Sequence, residues 1–131
     1  MPGTSLALLV VLVLQIKHLV ADFGLQSRYI LDNRRIYGHP GGLVHVGIHA
    51  AGTLIVLVPF GFPFLWVGAI IVGEALVHYH LDWAKDNLVA HYKLDTASKG
   101  YWILLGSDQA LHQASYLLIA WLLVSIGVSQ G

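Results

Sequence analysis

Four groups of ligand-type side chains recur in this chain at the spacing of one helical turn: His18-x3-Asp22, His45-x3-His49, Glu74-x3-His78-x3-Asp82 and Asp108-x3-His112. Residues four apart on a helix share a face, with Cβ atoms roughly 5 to 6 Å apart. One ion can therefore be gripped twice by one helix. Imidazole with carboxylate, and no Cys anywhere in the chain, makes an N/O donor set suited to a divalent metal, zinc first and iron or manganese next. The expected ligands are His18, Asp22, His49, His78, Asp82 and His112, with Gln26 extending the first group by another turn. His45 lies nearer a loop and is the weaker member of its pair. Asp108 or Glu74 would serve as general base, and Lys85 would steady an anionic group. Glu74 has two other readings, as a partner that orients a His and as a proton relay.

The composition decides what kind of element positions these groups. Hydrophobic residues make up 56% of the 131 residues and charged ones 11%, and the mean hydropathy is +0.70. Too little polar surface is available to face water. The class implied is an integral membrane protein, all-α, built as a four-helix transmembrane bundle. A spanning helix takes roughly 20 apolar residues, so four spans use most of the chain as a single domain. A net charge of zero offers no basic field for nucleic acid. Membrane lipids, a larger membrane complex or a homo-oligomer are the expected partners.

The four helices are expected at about 5–25, 43–58, 64–92 and 102–128. No basic residue precedes the first span and no small-residue cleavage pattern follows it, so it is expected to stay as a helix. The second stops at Pro59-Phe60-Gly61-Phe62-Pro63, where two prolines and a glycine forbid a continuous helix. Tyr101-Trp102 before the fourth is an aromatic pair of the interfacial kind. Gly47, Ala51, Ala69 and Gly73 fall at small-xxx-small spacing, which predicts close helix packing.

Orientation follows from the basic residues. Arg28, Arg34 and Arg35 lie in the first loop and Lys85, Lys93 and Lys99 in or beside the third, while the N-terminus, the Phe60 turn and the C-terminal tail carry none. The positive-inside rule places both charged loops in the cytoplasm and both termini on the non-cytoplasmic side. Lys17, near the same end, can snorkel. All four ligand groups then fall in one cytoplasmic layer.

Blander readings stand beside these. His18/Asp22 alone could be a helix-stabilising pair, and His39, His80 and His91 read as solvated or interfacial. Lys85 could neutralise Asp82 or hold an anionic head group, and Arg34-Arg35 reads as a topology signal in contact with lipid phosphate.

The strings Lys17-His18-Leu19-Val20-Ala21-Asp22-Phe23-Gly24-Leu25-Gln26, Glu74-x3-His78-x3-Asp82-x2-Lys85 and Asp108-Gln109-x2-His112 resemble the small bacterial and phage membrane proteins catalogued as domain of unknown function three-three-zero-seven. The resemblance covers nearly the whole chain. It implies a bacterial inner membrane as the location and brings no activity with it, but it singles out His18, Asp22, Gln26, His78, Asp82, Lys85, Asp108 and His112.

Two functions are expected from the residues, with a third behind them. One is a metal-dependent membrane hydrolase of esters or phosphoesters at the cytoplasmic interface, in which the ion lowers the pKa of bound water to about 7. The second is a non-enzymatic accessory subunit with a structural metal or polar network. The third is a b-type haem protein, since His can ligate haem iron, although carboxylates one turn from three of the His suit a hydrated ion better. The expected topology is testable with single cysteines at positions 98 and 129. An impermeant thiol reagent applied to right-side-out cells should label Ser129→Cys and spare Ser98→Cys, and the reverse pattern would overturn the orientation.

Overall fold

The computed structural model describes residues 3–129 and is all-helical. The extreme termini, expected on the non-cytoplasmic side, lie outside the described residues. Five α-helices follow in order: α1 (Gly3–Leu19), α2 (Arg28–Asn33), α3 (Pro40–Leu57), α4 (Phe64–His91) and α5 (Lys99–Ser129). A π-helical turn, Val20–Gly24, continues α1, and a 3-10 turn, Val58–Phe60, continues α3. With those turns included, four helices are long and apolar enough to cross a membrane. They correspond to the four expected spans, whose ends shift slightly. Helix α2 was not expected, because six polar and mixed residues between two spans read as loop.

Local chemistry accounts for the boundaries. Ser27 caps α2 by accepting from the Ile30 amide, and the His39 ring nitrogen caps α3 by accepting from the Gly41 amide at 3.0 Å, with Pro40 at the first helical position. Both are side-chain acceptors meeting amides that have no partner inside the helix. At the other end of α3, Pro59 stops the ladder and Gly61 takes the left-handed conformation at φ 72°. Helix α4 ends in a Schellman motif: the Lys93 amide donates to Ala90 O at 3.2 Å and the Leu94 amide to Val89 O at 2.9 Å. The left-handed position in this motif usually belongs to glycine. Here it is Lys93, at φ 52°. Ser98 then begins α5, its hydroxyl accepting from the Tyr101 amide.

The long helices pack in a ring in which α1 touches α5 and α3, and α4 touches α3 and α5. Its interior has two halves. Toward the Phe60 turn, Val10 and Leu14 of α1 meet Leu57 of α3, Val67 and Ile70 of α4, and Ile119 and Leu123 of α5 in an apolar core. Toward the α2 end the buried residues are His18, Asp22, His45, His49, Glu74, His78, Asp82, Asp108 and His112. The outside is the reverse, with Leu12, Ile16, Phe64, Leu65, Val72, Leu117 and Trp121 all exposed.

Close approach does not occur at the expected small residues. Gly47, Ala51, Ala69 and Gly73 are exposed, and a Cβ added at Gly47 or Gly73 would meet nothing. The inward face of α3 is claimed by His45 and His49, and Gly47, two residues from each, points about 200° away around the helix. The glycines that permit close approach are Gly41, where a Cβ would lie 2.8 Å from Asn33 Cβ, and Gly52. A Cβ at Gly52 would come within 2.7 Å of the Lys17 side chain.

Lys93 yields a prediction. A side chain in the left-handed region costs roughly 1–2 kcal/mol, so Lys93→Gly should raise the thermal midpoint in detergent by the equivalent of about 1 kcal/mol, after allowing for the greater freedom of glycine in the unfolded chain. Lys93→Val should lower it. A Lys93→Gly protein less stable than the parent would show that the lysine side chain stabilises the turn more than its backbone costs.

Candidate metal centre

Each long helix delivers its groups to the same depth on its inward face. From α1 comes His18, and from the π turn beyond it Asp22. The Leu25 amide donates to Val20 O, five residues back, at 2.9 Å, which is the bond that widens a helix into a π turn. His18 Nε2 and Asp22 Oδ2 are 3.1 Å apart. Helix α3 brings His45 and His49, α4 brings His78 and Asp82, and α5 brings Asp108 and His112.

The five imidazoles converge. Ring centroids are 3.8 Å apart for His49 and His78, 4.2 Å for His78 and His112, 4.8 Å for His45 and His49, and 5.0 Å for His18 and His112. Rings this closely packed leave no slot for a flat macrocycle among them. Three carboxylates lie between the ring nitrogens. Asp22 Oδ1 is 2.9 Å from His49 Nε2 and 3.4 Å from His45 Nε2. Asp82 Oδ2 is 3.0 Å from His45 Nε2 and 3.3 Å from His78 Nε2, while its Oδ1 is 3.4 Å from His112 Nε2. Asp108 Oδ1 is 3.4 Å from His112 Nε2.

These atoms fall into three overlapping sets in which all candidate ligand atoms lie within 4.8 Å of one another: Asp22/His45/His49/His78, His18/His78/His112 and Asp82/Asp108/His112. Several of the contacts lack the direction a hydrogen bond needs. Asp82 Oδ2 and Asp108 Oδ1, both buried, have no hydrogen-bond partner among the described residues. The Nε2 atoms of His45 and His78 face each other at 3.3 Å, an approach that requires a shared proton or a cation to relieve it. The donor set, its convergence and its unsatisfied oxygens all fit a bound divalent cation.

An outer layer of hydrogen bonds holds these groups. On the apolar side, Lys17 Nζ donates to Glu74 Oε1 at 2.6 Å and to the Tyr116 hydroxyl at 3.3 Å, and Thr53 donates to Glu74 Oε2 at 2.5 Å. Lys17 Nζ is also 3.5 Å from His49 Nδ1, and the Tyr116 hydroxyl is 2.8 Å from His18 Nδ1. The Tyr116 hydroxyl can accept from His18 Nδ1, the usual way a protein orients a ligating imidazole, whereas the Lys17 ammonium can only donate to His49 Nδ1, and the buried Nδ1 atoms of His45 and His78 have no hydrogen-bond partner among the described residues. On the opposite side, Arg34 bonds Asp86 through Nε and Nη2, donates from Nη1 to Gln26 Oε1 at 2.6 Å, and lies 3.6 Å from Asp82 Oδ2. Burial alone would lower the pKa of this guanidinium. The Asp82 and Asp86 carboxylates outweigh that and hold it above its ordinary value.

The expected residues are distributed as follows. His18, Asp22, His49, His78, Asp82 and His112 share the cluster with Asp108, and His45 is as deep in it as His49. Glu74 lies outside the cluster with its oxygens engaged by Lys17 and by Thr53, and no His is among its hydrogen-bond partners in the described residues. Lys85 pairs with Asp86 at 2.8 Å rather than with Asp82. Gln26 does not continue the ligand face, because the π turn ends the helix first, and it holds Arg34 instead. Arg34 is buried in the site and not spread on a lipid surface, and Lys17 turns inward to Glu74 instead of snorkelling. His80 reaches Tyr37 at the surface, and His91 is exposed.

Reading by residue type passed over Thr53, Tyr116 and Gln109. Thr53 and Tyr116 each lie one turn beyond a clustered His, so the spacing that found the ligands would have found them too. Gln109 Oε1 is 3.1 Å from His18 Nε2 and its amide donates to Asp108 Oδ2 at 3.1 Å.

No curated protein and no solved structure matches this chain. A family model does, over residues 8–130, and its description is Protein of unknown function (DUF3307). That span takes in every residue of the cluster and both layers of hydrogen bonds around it, and the chain belongs to that family.

Proposed function

We propose that this chain is a polytopic membrane protein of the bacterial inner membrane and a metal-dependent hydrolase acting at the cytoplasmic face. The carrying observation is the convergence of five imidazoles on three carboxylates, two of which keep buried oxygens without a hydrogen-bond donor. The apolar outside and ionisable inside support insertion in a bilayer, where groups of this kind face the bundle interior and pair there. The grouping of basic residues at the α2 end supports the orientation with both termini outside.

Asp108 apart, seven donors exceed the four that a zinc ion usually takes, so two ions could share the centre. Asp82 would help to hold them, its Oδ1 facing His112 and its Oδ2 facing His45 and His78. A bound divalent ion would supply a nucleophilic water near neutral pH and polarise an ester or phosphoester oxygen. Asp108, whose Oδ1 is buried and has no hydrogen-bond partner among the described residues, would be the general base. His18, Asp22, His45, His49, His78 and His112 would hold the ions, and Lys85 at the rim would favour an anionic substrate.

A second reading rests on burial. His49 and His112 are each 1% exposed, which suits a closed structural site in an accessory subunit of a larger membrane complex. Activity separates the two. The purified protein should carry one to two equivalents of zinc, iron or manganese by elemental analysis. Chelation should abolish hydrolysis of p-nitrophenyl phosphate or acetate, and restoring the metal should recover it. Bound metal without hydrolysis of either ester would leave the accessory reading, and absence of metal would end both metal readings.

Two further outcomes are expected. Asp82→Asn keeps the shape of the side chain and removes a charge from the shared ligand, so it should lose most of the metal, while His80→Gln and His91→Gln at equal folding yield should retain it. Equal retention in all three would make Asp82 a structural residue. Ligating imidazoles must also be neutral, so metal affinity should fall as pH drops through about 6.5, the ordinary His value. Constant affinity from pH 8 to pH 5 would be inconsistent with imidazole ligands.

A further inference from the structure

Beside the donor cluster lies a cavity of 370 Å³, between α2, the end of α4 and the start of α5. Its wall carries Arg34, Arg35, Lys85 and Lys93 against a single carboxylate, Asp86, and is completed by apolar side chains such as Leu31 and Val89 and by Tyr101. The charges are unevenly committed. Arg34 and Lys85 are both held by Asp86. Arg35 and Lys93 form no ion pair among the described residues. Lys93 is also the residue that occupies the left-handed position at the end of α4, where glycine would cost nothing. A strained residue is kept where something else requires it, and here the strained residue supplies the cavity with a cation.

We propose that this cavity binds a phosphate group carried on an apolar body, and that it is the substrate subsite of the hydrolase. The inference deepens the metal-dependent reading and rests on it for the word substrate, while binding of phosphate stands on the cavity alone. Phosphate is favoured over a carboxylate because the cavity offers two unpaired cations, one of them a guanidinium, whose planar fork suits a phosphoryl group with more than one charged oxygen. The apolar side of the wall takes the body of the ligand. Arg34 connects the two sites: it lines the cavity, and its Nη1 lies 3.6 Å from Asp82 Oδ2 in the donor cluster.

The test measures binding to the full chain as purified in neutral detergent, with metal content determined on the same sample. The probes are dihexanoyl phosphatidic acid, inorganic phosphate and dihexanoylglycerol, which has no phosphate. The phosphatidic acid should bind saturably, and at least tenfold more weakly to an Arg35→Gln/Lys93→Gln protein. Lys93→Gly, the variant expected to be more stable, should also bind it more weakly, so the loss cannot come from unfolding. Competition by inorganic phosphate at similar concentration would identify a soluble phosphoester as the source of the group, and failure to compete would identify a lipid head group. Either supports the subsite. Equal binding of dihexanoylglycerol, unchanged affinity in the double variant, or no saturable binding of either phosphate probe would overturn it. A protein that binds the phosphate probes but holds no metal would keep the cavity assignment and lose the hydrolase reading.

Discussion

Carboxylates held inside an apolar bundle and facing imidazoles are the constraint on which the rest of this structure depends. Around the polar half of the interior stand Asp22, Glu74, Asp82, Asp86 and Asp108, and the cations that answer them are Lys17, Arg34 and Lys85. With neutral imidazoles the region is short of two positive charges. In a medium of low dielectric such a shortage is expensive. One divalent cation closes it, and a second would leave two positive charges for an anionic substrate to balance; two protonated imidazoles would also close it, but a cation in addition satisfies oxygens that no N–H is aimed at. The metal proposal is therefore an argument about charge as well as about donor geometry.

The outer hydrogen bonds take their form from the same constraint. Lys17 would be costly inside the bundle without Glu74, and Glu74 without Lys17 and Thr53. Together they form a neutral plug between the apolar core and the cluster, and the plug also fixes His49 and, through Tyr116, His18. Gly52 belongs to this arrangement, because a larger residue would occupy the path of the Lys17 stem. At the other end Arg34, with Gln26 and Asp86, closes the cluster toward the loops and couples it to the basic cavity. Ion access or substrate entry would have to move one of these two closures.

Much of the site was legible in the sequence because helix geometry converts a spacing of four into a shared face. That rule found the members of the cluster on each helix and set their common depth. It went wrong where a residue's partner lies on another helix. Spacing makes Lys17 a snorkelling residue and Arg34, beside Arg35, a lipid contact, because the carboxylates they pair with, Glu74 and Asp86, are 57 and 52 residues away. Gly47 and Gly73 were read as packing surfaces for the same reason: spacing says that two residues share a face, and not which face turns inward.

By itself, then, the sequence determined that the chain is all-helical, roughly where four long apolar helices run, and which polar residues each one carries on a single face. These are properties of local periodicity, proline and glycine placement, and side-chain chemistry, all of which act within a few residues. Only the tertiary structure decided that the four faces meet. It also decided that α1 widens into a π turn at Asp22, that Lys17 and Arg34 close the cluster from either side, and that Arg35 and Lys93 share a cavity. Those outcomes depend on distances between segments remote in the chain, fixed by packing all the helices at once, and no local spacing encodes them.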